Sequence, residues 1–201
     1  NPTQSSEFRS AMRWNDIESE VCSVARTLSV VGDRWTLLVL RDCFLGTRRF
    51  DEFQKSIGMS RTRLTDRLNK LVENALLEKK QYQNNPPRSE YVLTQKGLDI
   101  YPVLVSLTGW GNKWMSDEDG IPLEYHHKGC NHITQPVLSC DHCGEKIEAR
   151  DVYVVPGSGI IEKFKRGERP VYIPKKLMNR YSDKMSPNIN KTLNKPAAKK
   201  G

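Results

Sequence analysis

Cysteine and histidine residues cluster near position 140, where their spacing indicates metal chemistry. Cys140 and Cys143 are separated by two residues and followed by Gly144. This spacing is typical of a zinc-knuckle turn, in which both sulfurs bind one metal ion and the glycine lets the backbone wrap around it. We expect a structural metal site, because a site filled by four protein ligands has no open position for catalysis.

Tetrahedral zinc requires two further ligands, and the segment before the turn offers candidates. We predict Cys130 and His132, with His127 and His142 as alternatives to His132. Structural zinc is therefore the expected cofactor. Two other interpretations stay open, namely reduced free thiols in a loop-rich subdomain and a redox-active dithiol. The odd total of five cysteines argues against a disulfide framework.

Catalytic chemistry has little support in this sequence. It contains no paired acid–base carboxylates in a plausible cleft, no nucleophile elbow and no cofactor-binding fingerprint. The segment PGSG at 156–159 is too short for a phosphate-binding loop and is expected to be a turn. We predict that the protein is not an enzyme. The one alternative is an oxidoreductase based on Cys22 or on the Cys140–Cys143 pair.

A second functional pattern lies in residues 60–74, which we predict to form a helix capped by Ser60. At helical periodicity, Leu64, Leu68 and Leu71 fall on one side, and short polar residues fall on the opposite side. Arginine and lysine side chains flank the polar face. Such a helix can anchor one face in a core and present the other to base edges and phosphates in a DNA major groove.

We predict that this helix and the tip of a following hairpin contact DNA. The predicted DNA-binding residues are Ser60, Arg61, Thr62, Arg63, Thr65, Asp66, Arg67, Lys70, Asn84 and Arg88. A solvated amphipathic helix with surface arginines is the alternative. Context favours DNA binding, because a short helix and a tight turn precede the helix and a proline-tipped basic hairpin follows it.

The elements that must position these residues follow from hydrophobic periodicity. Helices are predicted over 22–31, 35–45, 50–56, 60–74 and 95–115, and strands over 77–83 and 89–94. Asp33 and Thr94 are predicted helix caps. The segment 35–45 is apolar on nearly every side and should lie at the centre of the domain. This order predicts a mainly α fold with a small β-hairpin, the winged helix-turn-helix layout.

Four regions are expected along the chain. They are a flexible N-terminal arm (1–20), a DNA-binding and dimerisation domain (21–120), a Cys/His-containing β-rich extension (121–160) and a basic disordered tail (161–201). Short strands are expected in the extension near 136–138 and 152–155.

The net charge of +8 is unevenly distributed. Residues 163–201 contain 12 basic and two acidic residues, whereas residues 1–162 contain 20 basic and 22 acidic ones. We expect the tail either to add sequence-independent affinity for DNA or only to solubilise the chain. The sequence has no apolar stretch long enough for a bilayer, and residues 1–12 lack the apolar core of a signal peptide. We expect no membrane partner and a cytoplasmic location.

Several separate blocks between residues 22 and 115 resemble the HxlR-type winged helix regulators, a branch near the MarR-like proteins. The blocks are CSVARTL from Cys22, VGDRWTLL from Val31, GTRRFDEF from Gly46, LTDRL from Leu64, PPRSEY from Pro86 and LTQKG from Leu93. The resemblance implies a homodimer in which the terminal helices pack across a two-fold axis. Trp110 and Trp114 suit that interface. The alternative is that they fill the core of their own subunit, and the two roles are compatible in part.

Some members of this family sense oxidants or electrophiles through a cysteine just before the first helix. Cys22 matches that position, so the resemblance implies a redox sensor there. The alternative is a small residue in helix packing. Cys43 lies in the apolar central helix and is expected to be inert.

These patterns predict a sequence-specific transcriptional regulator that binds double-stranded DNA. By the resemblance, it acts as a homodimer on an inverted-repeat operator, and thiol oxidation or a small effector modulates its binding. The alternative is a nucleic-acid-binding protein without sequence preference, in which the basic tail dominates.

Overall fold

The structure is a computed structural model that describes residues 21–167. The predicted N-terminal arm and all but the first residues of the predicted tail lie outside this range. The described residues divide into two compact units, one comprising Thr27–Leu138 and the other comprising residues 21–26 and 139–167. The helices are α1 (Ser23–Val31), α2 (Arg34–Phe44), α3 (Phe50–Ile57), α4 (Arg61–Glu73), α5 (Gln95–Leu98), α6 (Tyr101–Trp114) and α7 (Ser158–Lys165).

Helix α2 lies at the centre of the larger unit, as its apolar sequence predicted. It contacts α3, α4 and α6, and Val39 and Leu40 are fully buried. Its N-terminus is capped as expected, because the Asp33 carboxylate accepts hydrogen bonds from the backbone N–H groups of Trp35 and Thr36. The cap satisfies amide donors that have no partner within the helix.

Helix α4 packs its leucine stripe onto this core. Leu64, Leu68 and Leu71 are fully buried, which confirms the predicted apolar face. Burying each leucine contributes about 1.5–3 kcal/mol, so this stripe fixes which face of the helix is left for solvent. The helix ends in a Schellman motif. The N–H of Leu76 donates to the Leu71 carbonyl, and Ala75 adopts a left-handed conformation with φ of 56°.

The predicted hairpin is present as β1 (Leu77–Gln83) and β2 (Arg88–Leu93), which pair antiparallel. A bulge between Gln81 and Gln83 leaves Tyr82 out of the regular register. Bulges re-aim side chains and increase local twist. The hairpin forms the wing of the helix-turn-helix domain, and together these elements confirm the predicted fold.

The predicted single helix over 95–115 is wrong in one respect, because two helices, α5 and α6, occupy this segment. Thr94 caps α5 as expected, and its hydroxyl accepts from the Gly97 N–H. Pro102 lies at the start of α6. Proline has no N–H for the carbonyl four residues earlier, and its ring would clash with that carbonyl in a continuous helix. The break therefore falls just before Pro102.

The extension also differs from its predicted strands. Its ribbon is β3 (Tyr125–His127) paired antiparallel with β4 (His132–Thr134), whereas residues 136–138 and 152–155 form no strand. Pro136 cannot donate a ladder hydrogen bond, which disfavours a strand there. The predicted turn at 156–159 is wrong for its second half, because Ser158 and Gly159 form the start of α7, a helix that was not predicted.

Candidate nucleic-acid interface

The helix-turn-helix consists of α3, a three-residue turn and α4. Gly58 begins the turn with φ of 72°, a left-handed conformation that glycine adopts without strain. The next residue, Met59, is buried and anchors the turn in the core. Ser60 occupies the predicted N-cap position of α4, but its hydroxyl makes no capping hydrogen bond. The backbone N–H groups at the start of α4, which have no carbonyl partner within the helix, can therefore face a phosphate.

The face of α4 opposite the leucines is exposed, as predicted. Thr62, Arg63, Thr65, Asp66 and Asn69 are all exposed. Short polar side chains that extend from a helix anchored on its other face can enter a major groove and reach base edges. The sequence thus placed the solvent face of α4 correctly.

Arg61, at the first turn of α4, is held by α3. Its guanidinium lies 3.3 Å from the Asp51 carboxylate and donates to the Gln54 side-chain oxygen at 3.1 Å. The same group lies over the Phe50 ring, 4.7 Å from its centroid. These contacts join the two helices of the motif at the solvent surface, where they order the Arg61 side chain.

Two other α4 side chains that were predicted to contact DNA also bind groups of the protein itself. Arg67 Nε lies 3.1 Å from Asp33 Oδ1, and Lys70 Nζ donates to the Ser29 carbonyl oxygen at 2.7 Å. Both cations are half-buried.

Arg63 differs from the other basic side chains of α4. It is exposed, and within residues 21–167 it has no ion-pair or hydrogen-bond partner. A guanidinium that is anchored only through its own helix can make a bidentate contact with guanine or bind a phosphate. Of the predicted α4 cations, Arg63 is therefore the best placed to contact DNA.

The wing presents the other predicted contacts. Asn84 is exposed and its side-chain oxygen accepts a hydrogen bond from Gln81, while Arg88 at the start of β2 is exposed. The sequence analysis missed Arg49, which precedes α3. Its guanidinium lies 5.0 Å from the centroid of the Tyr82 ring in the wing. The signal that could have found it is the Arg48-Arg49 pair directly before α3.

The two cysteines near the helix-turn-helix differ in exposure. Cys22 is exposed and lies just before α1, in the position expected of a sensor. Burial, followed by the charge of Asp42, raises the pKa of the Cys43 thiol from 9.0 to about 12. Cys43 is therefore protonated at neutral pH, which supports its expected inertness because the thiolate is the reactive form.

Cys140 and Cys143 lie in one turn of the extension, the segment that the sequence predicts to be a zinc knuckle. The backbone N–H groups of Cys143 and His142, together with the Cys143 side chain, lower the pKa of Cys140 through hydrogen bonds to its sulfur. The following residue, Gly144, has φ of 75° and donates to the Cys140 carbonyl. A thiolate stabilised in this way is the form that binds metal.

The other predicted ligands lie on the β3–β4 hairpin. His127 Nδ1 lies 3.3 Å from Cys130 Sγ, whereas His132 Nδ1 contacts the Cys130 backbone oxygen at 2.8 Å. Within residues 21–167, no three His, Cys, Asp or Glu side chains form a metal-binding group. Cys140 and Cys143 lie together in one turn, and the zinc site with its four predicted ligands stays a prediction.

The fold and the exposed face of α4 define the class, which is a winged helix-turn-helix DNA-binding protein. The model of the HxlR-like helix-turn-helix family matches residues 30–119, and the chain belongs to this family. It is a DNA-binding transcriptional regulator and not an enzyme, as predicted. Among the described residues, no helix is long and apolar enough to cross a membrane.

Similar proteins carry the same description. The uncharacterised HTH-type transcriptional regulator Rv3095 of Mycobacterium tuberculosis is 42% identical over 142 residues, which cover 71% of this chain and 90% of that relative. The crystal structure of PA1607, described as a candidate transcription factor, is 32% identical with a TM-score of 0.61, and the match covers 68% of this chain and 96% of that one. PA1374 from Pseudomonas aeruginosa has a TM-score of 0.51 at 30% identity, with 79% and 99% covered.

Proposed function

We propose that this regulator reads a specific inverted-repeat operator as a homodimer, with α4 of each subunit in one major groove. The observation that carries the proposal is the asymmetry of α4. Its leucine face is fully buried, while Arg63 and the short polar residues beside it are exposed and face outward. Specificity requires side chains that can reach base edges in this way.

Selection of bound duplexes from a random DNA pool tests this proposal. At roughly physiological salt, where phosphate binding alone is weak, we expect enrichment of an inverted repeat. A two-fold dimer places its half-sites about one or two helical turns apart, so their spacing is also predicted. Binding without enrichment would favour the alternative, in which the basic tail gives sequence-independent affinity.

The exposed apolar surface of α6 supports the dimer. Leu107, Trp110 and Trp114 are 49%, 59% and 66% exposed, at spacings that place them along one side of the helix. Each tryptophan has more than half of its surface exposed, so neither lies buried in the core of its own subunit. Large exposed apolar patches mark interaction sites, and a second copy of α6 would cover this one.

Sedimentation of the wild type and of Trp110→Glu tests the dimer. The proposal predicts that the wild type sediments as a dimer and that the glutamate variant shifts to monomer without loss of helical circular dichroism. Lys128→Glu is a suitable control, because it introduces the same residue on the exposed β3–β4 turn. A variant that remains fully dimeric would place the interface elsewhere.

Oxidation of Cys22 is the regulatory step that we propose. Its exposure before α1 leaves the thiol open to an oxidant or electrophile. Diamide takes two electrons and two protons from a pair of thiols, so we propose that it joins Cys22 to the Cys22 of a second copy, or to a low-molecular-weight thiol, in a disulfide. The proposal predicts that diamide lowers operator affinity of the wild type and leaves Cys22→Ser unchanged. Cys43→Ser is the control for loss of a thiol outside the proposed zinc ligands. Equal loss in wild type and Cys22→Ser would exclude Cys22 and assign the oxidation to another cysteine, whereas no loss in either protein would favour a small effector.

We also propose zinc as a structural cofactor of the extension. The hydrogen bonds from Cys143 and His142 to the Cys140 sulfur support this proposal, because they favour the thiolate. Cys130 and His132 are the remaining ligands predicted from the sequence. Elemental analysis of the full chain should show one zinc ion per chain, lost in Cys140→Ser and retained in Cys43→Ser. The absence of zinc from the wild type purified from zinc-supplemented cells, or zinc retained in Cys140→Ser, would contradict the proposal.

A further inference from the structure

Two cations of α4 connect the recognition helix to the first two helices of the domain. Arg67 Nε lies 3.1 Å from Asp33 Oδ1, and the two side chains are only 29% and 33% exposed. Lys70 Nζ donates to the Ser29 carbonyl at 2.7 Å in a partly buried contact. Both cations were predicted to contact DNA, yet each already has an internal partner.

Asp33 Oδ1 serves two elements at once. It accepts from the N–H of Trp35 at 3.0 Å and of Thr36 at 3.3 Å, which caps α2. The N–H of Arg67 Nε is not aligned with this oxygen, so the Arg67 contact is an ion pair and not a directed hydrogen bond. One carboxylate oxygen therefore links the start of α2 to the middle of α4.

The Lys70 contact links α4 to α1 in a similar way. Ser29 lies in the last turn of α1, where backbone carbonyls have no partner within the helix. A lysine ammonium satisfies such a carbonyl and interacts favourably with the negative end of the helix dipole. Reaching a phosphate would require Lys70 to leave this partner.

We propose that Asp33 is a positioning residue for DNA recognition, and that Arg67 and Lys70 set the pose of α4 instead of contacting DNA. Asp33 and Ser29 hold the two cations on the protein side of the helix, which fixes α4 against α2 and α1. This inference rests on the proposed reading of DNA by α4. It leaves Arg63 as the α4 cation that contacts DNA.

The change in DNA affinity caused by Asp33→Asn distinguishes this proposal from a purely electrostatic effect of the carboxylate, because the two predict changes in opposite directions. Removing an acidic residue from a DNA-binding domain should strengthen binding if charge alone matters. Asparagine is as good an N-cap as aspartate, so the α2 cap is kept while the ion pair is lost. The positioning role instead predicts weaker binding.

The experiment compares wild type, Asp33→Asn, Arg67→Met, Lys70→Met and Arg63→Ala on two duplexes. One duplex carries the sequence enriched by selection, and the other has random sequence. The dissociation constant is measured over a range of salt concentrations, because losing a phosphate contact reduces the salt slope by about 1. Thermal unfolding and circular dichroism establish that each variant folds.

We expect Asp33→Asn and Arg67→Met each to weaken binding to the selected duplex by roughly 3- to 10-fold, a range typical of coupled neighbours. Their salt slopes should match wild type, and the slope of Lys70→Met should do so as well. The double variant Asp33→Asn/Arg67→Met should bind no more weakly than Arg67→Met. If Arg67→Met does not fold, Asp33→Asn decides the question alone.

Two results would overturn the proposal. One is equal or tighter binding by Asp33→Asn, and the other is a salt slope reduced by about 1 in Arg67→Met. A different result is expected if α4 does not read DNA at all. Arg63→Ala would then also bind both duplexes with the affinity of the wild type. The random duplex keeps the slope comparison possible even when selection enriches no sequence.

Discussion

The Arg49 guanidinium lies over the Tyr82 ring, with 5.0 Å between the guanidinium carbon and the ring centroid. The contact joins the start of α3 to the bulge in the wing. An isolated bridge between Arg49 and Glu90 connects the same two parts of the chain. The orientation of the wing relative to the helix-turn-helix therefore depends on contacts outside the predicted DNA-binding residues.

Replacing Tyr82 should disturb the wing. Tyr82→Ala removes the ring beneath Arg49, and an exposed cation–π contact is worth about 0.5–1 kcal/mol. We expect weaker operator binding by Tyr82→Ala and near wild-type binding by Tyr82→Phe, which keeps the ring. Fluorescence anisotropy with the selected duplex measures both. Equal losses in the two variants would assign the effect to the hydroxyl and not to the ring.

The free energy of unfolding should fall at alkaline pH because of Cys43. Burial raises the pKa of this thiol from 9.0 to about 12 in the folded protein. Above pH 9 the unfolded chain loses the proton while the folded chain keeps it, so stability is full below about pH 9 and is lost as pH rises towards 12. Burial also raises the pKa of Tyr91, which acts in the same direction.

Urea unfolding of the wild type and of Cys43→Ala across this pH range checks the prediction. The variant will be less stable at neutral pH, because it loses buried apolar volume. Its stability should nevertheless fall less steeply with rising pH, and Tyr91 should account for the slope that remains. Parallel pH profiles for the two proteins would show that the pKa of Cys43 is the same in the folded and unfolded states.

Gly97 should tolerate no larger residue. A methyl group at this position would meet the backbone carbonyl of Leu76, which cannot rotate away. We expect Gly97→Ala to destabilise the domain by about 1–3 kcal/mol, the usual range for overpacking. Thermal unfolding measures the change, and Gly109→Ala is the control, since a methyl group there meets nothing within 4 Å. Equal melting temperatures for the two variants would contradict the predicted clash.

Ala75→Gly should stabilise the domain, whereas Gly97→Ala should destabilise it. Ala75 holds a left-handed φ of 56° at the end of α4. That conformation costs an L-residue about 1–2 kcal/mol, more than the entropy that glycine loses on folding, about 0.5–1 kcal/mol. We expect a small gain in the free energy of unfolding, measured by urea titration. A loss of stability would mean that the Ala75 methyl group contributes more than its strain costs.

The sequence predicted the elements that periodicity and caps define. The leucine stripe of α4 and the caps at Asp33 and Thr94 were all found from residue type and spacing. The break before Pro102 was missed because the apolar period continues across it, although proline chemistry could have located it.

The site was less predictable than the fold. Periodicity identifies the outward face of α4, but it does not identify which of its cations bind partners within the protein. Asp33 is 34 positions from Arg67, and Ser29 is 41 positions from Lys70, so both contacts depend on how three helices pack. The same applies to Arg49, whose partner Tyr82 lies in the wing. Such long-range pairs arise from tertiary structure and leave no local pattern.

Sequence reading by α4 through Arg63 is tested most sharply by repeating the random-duplex selection with Arg63→Ala. Arg63 should contribute a base contact worth about 1–3 kcal/mol at one position of each half-site. We expect an inverted repeat of unchanged spacing in which the preference at one symmetry-related pair of positions is lost. Enrichment of the same repeat with every preference intact would contradict base reading by Arg63.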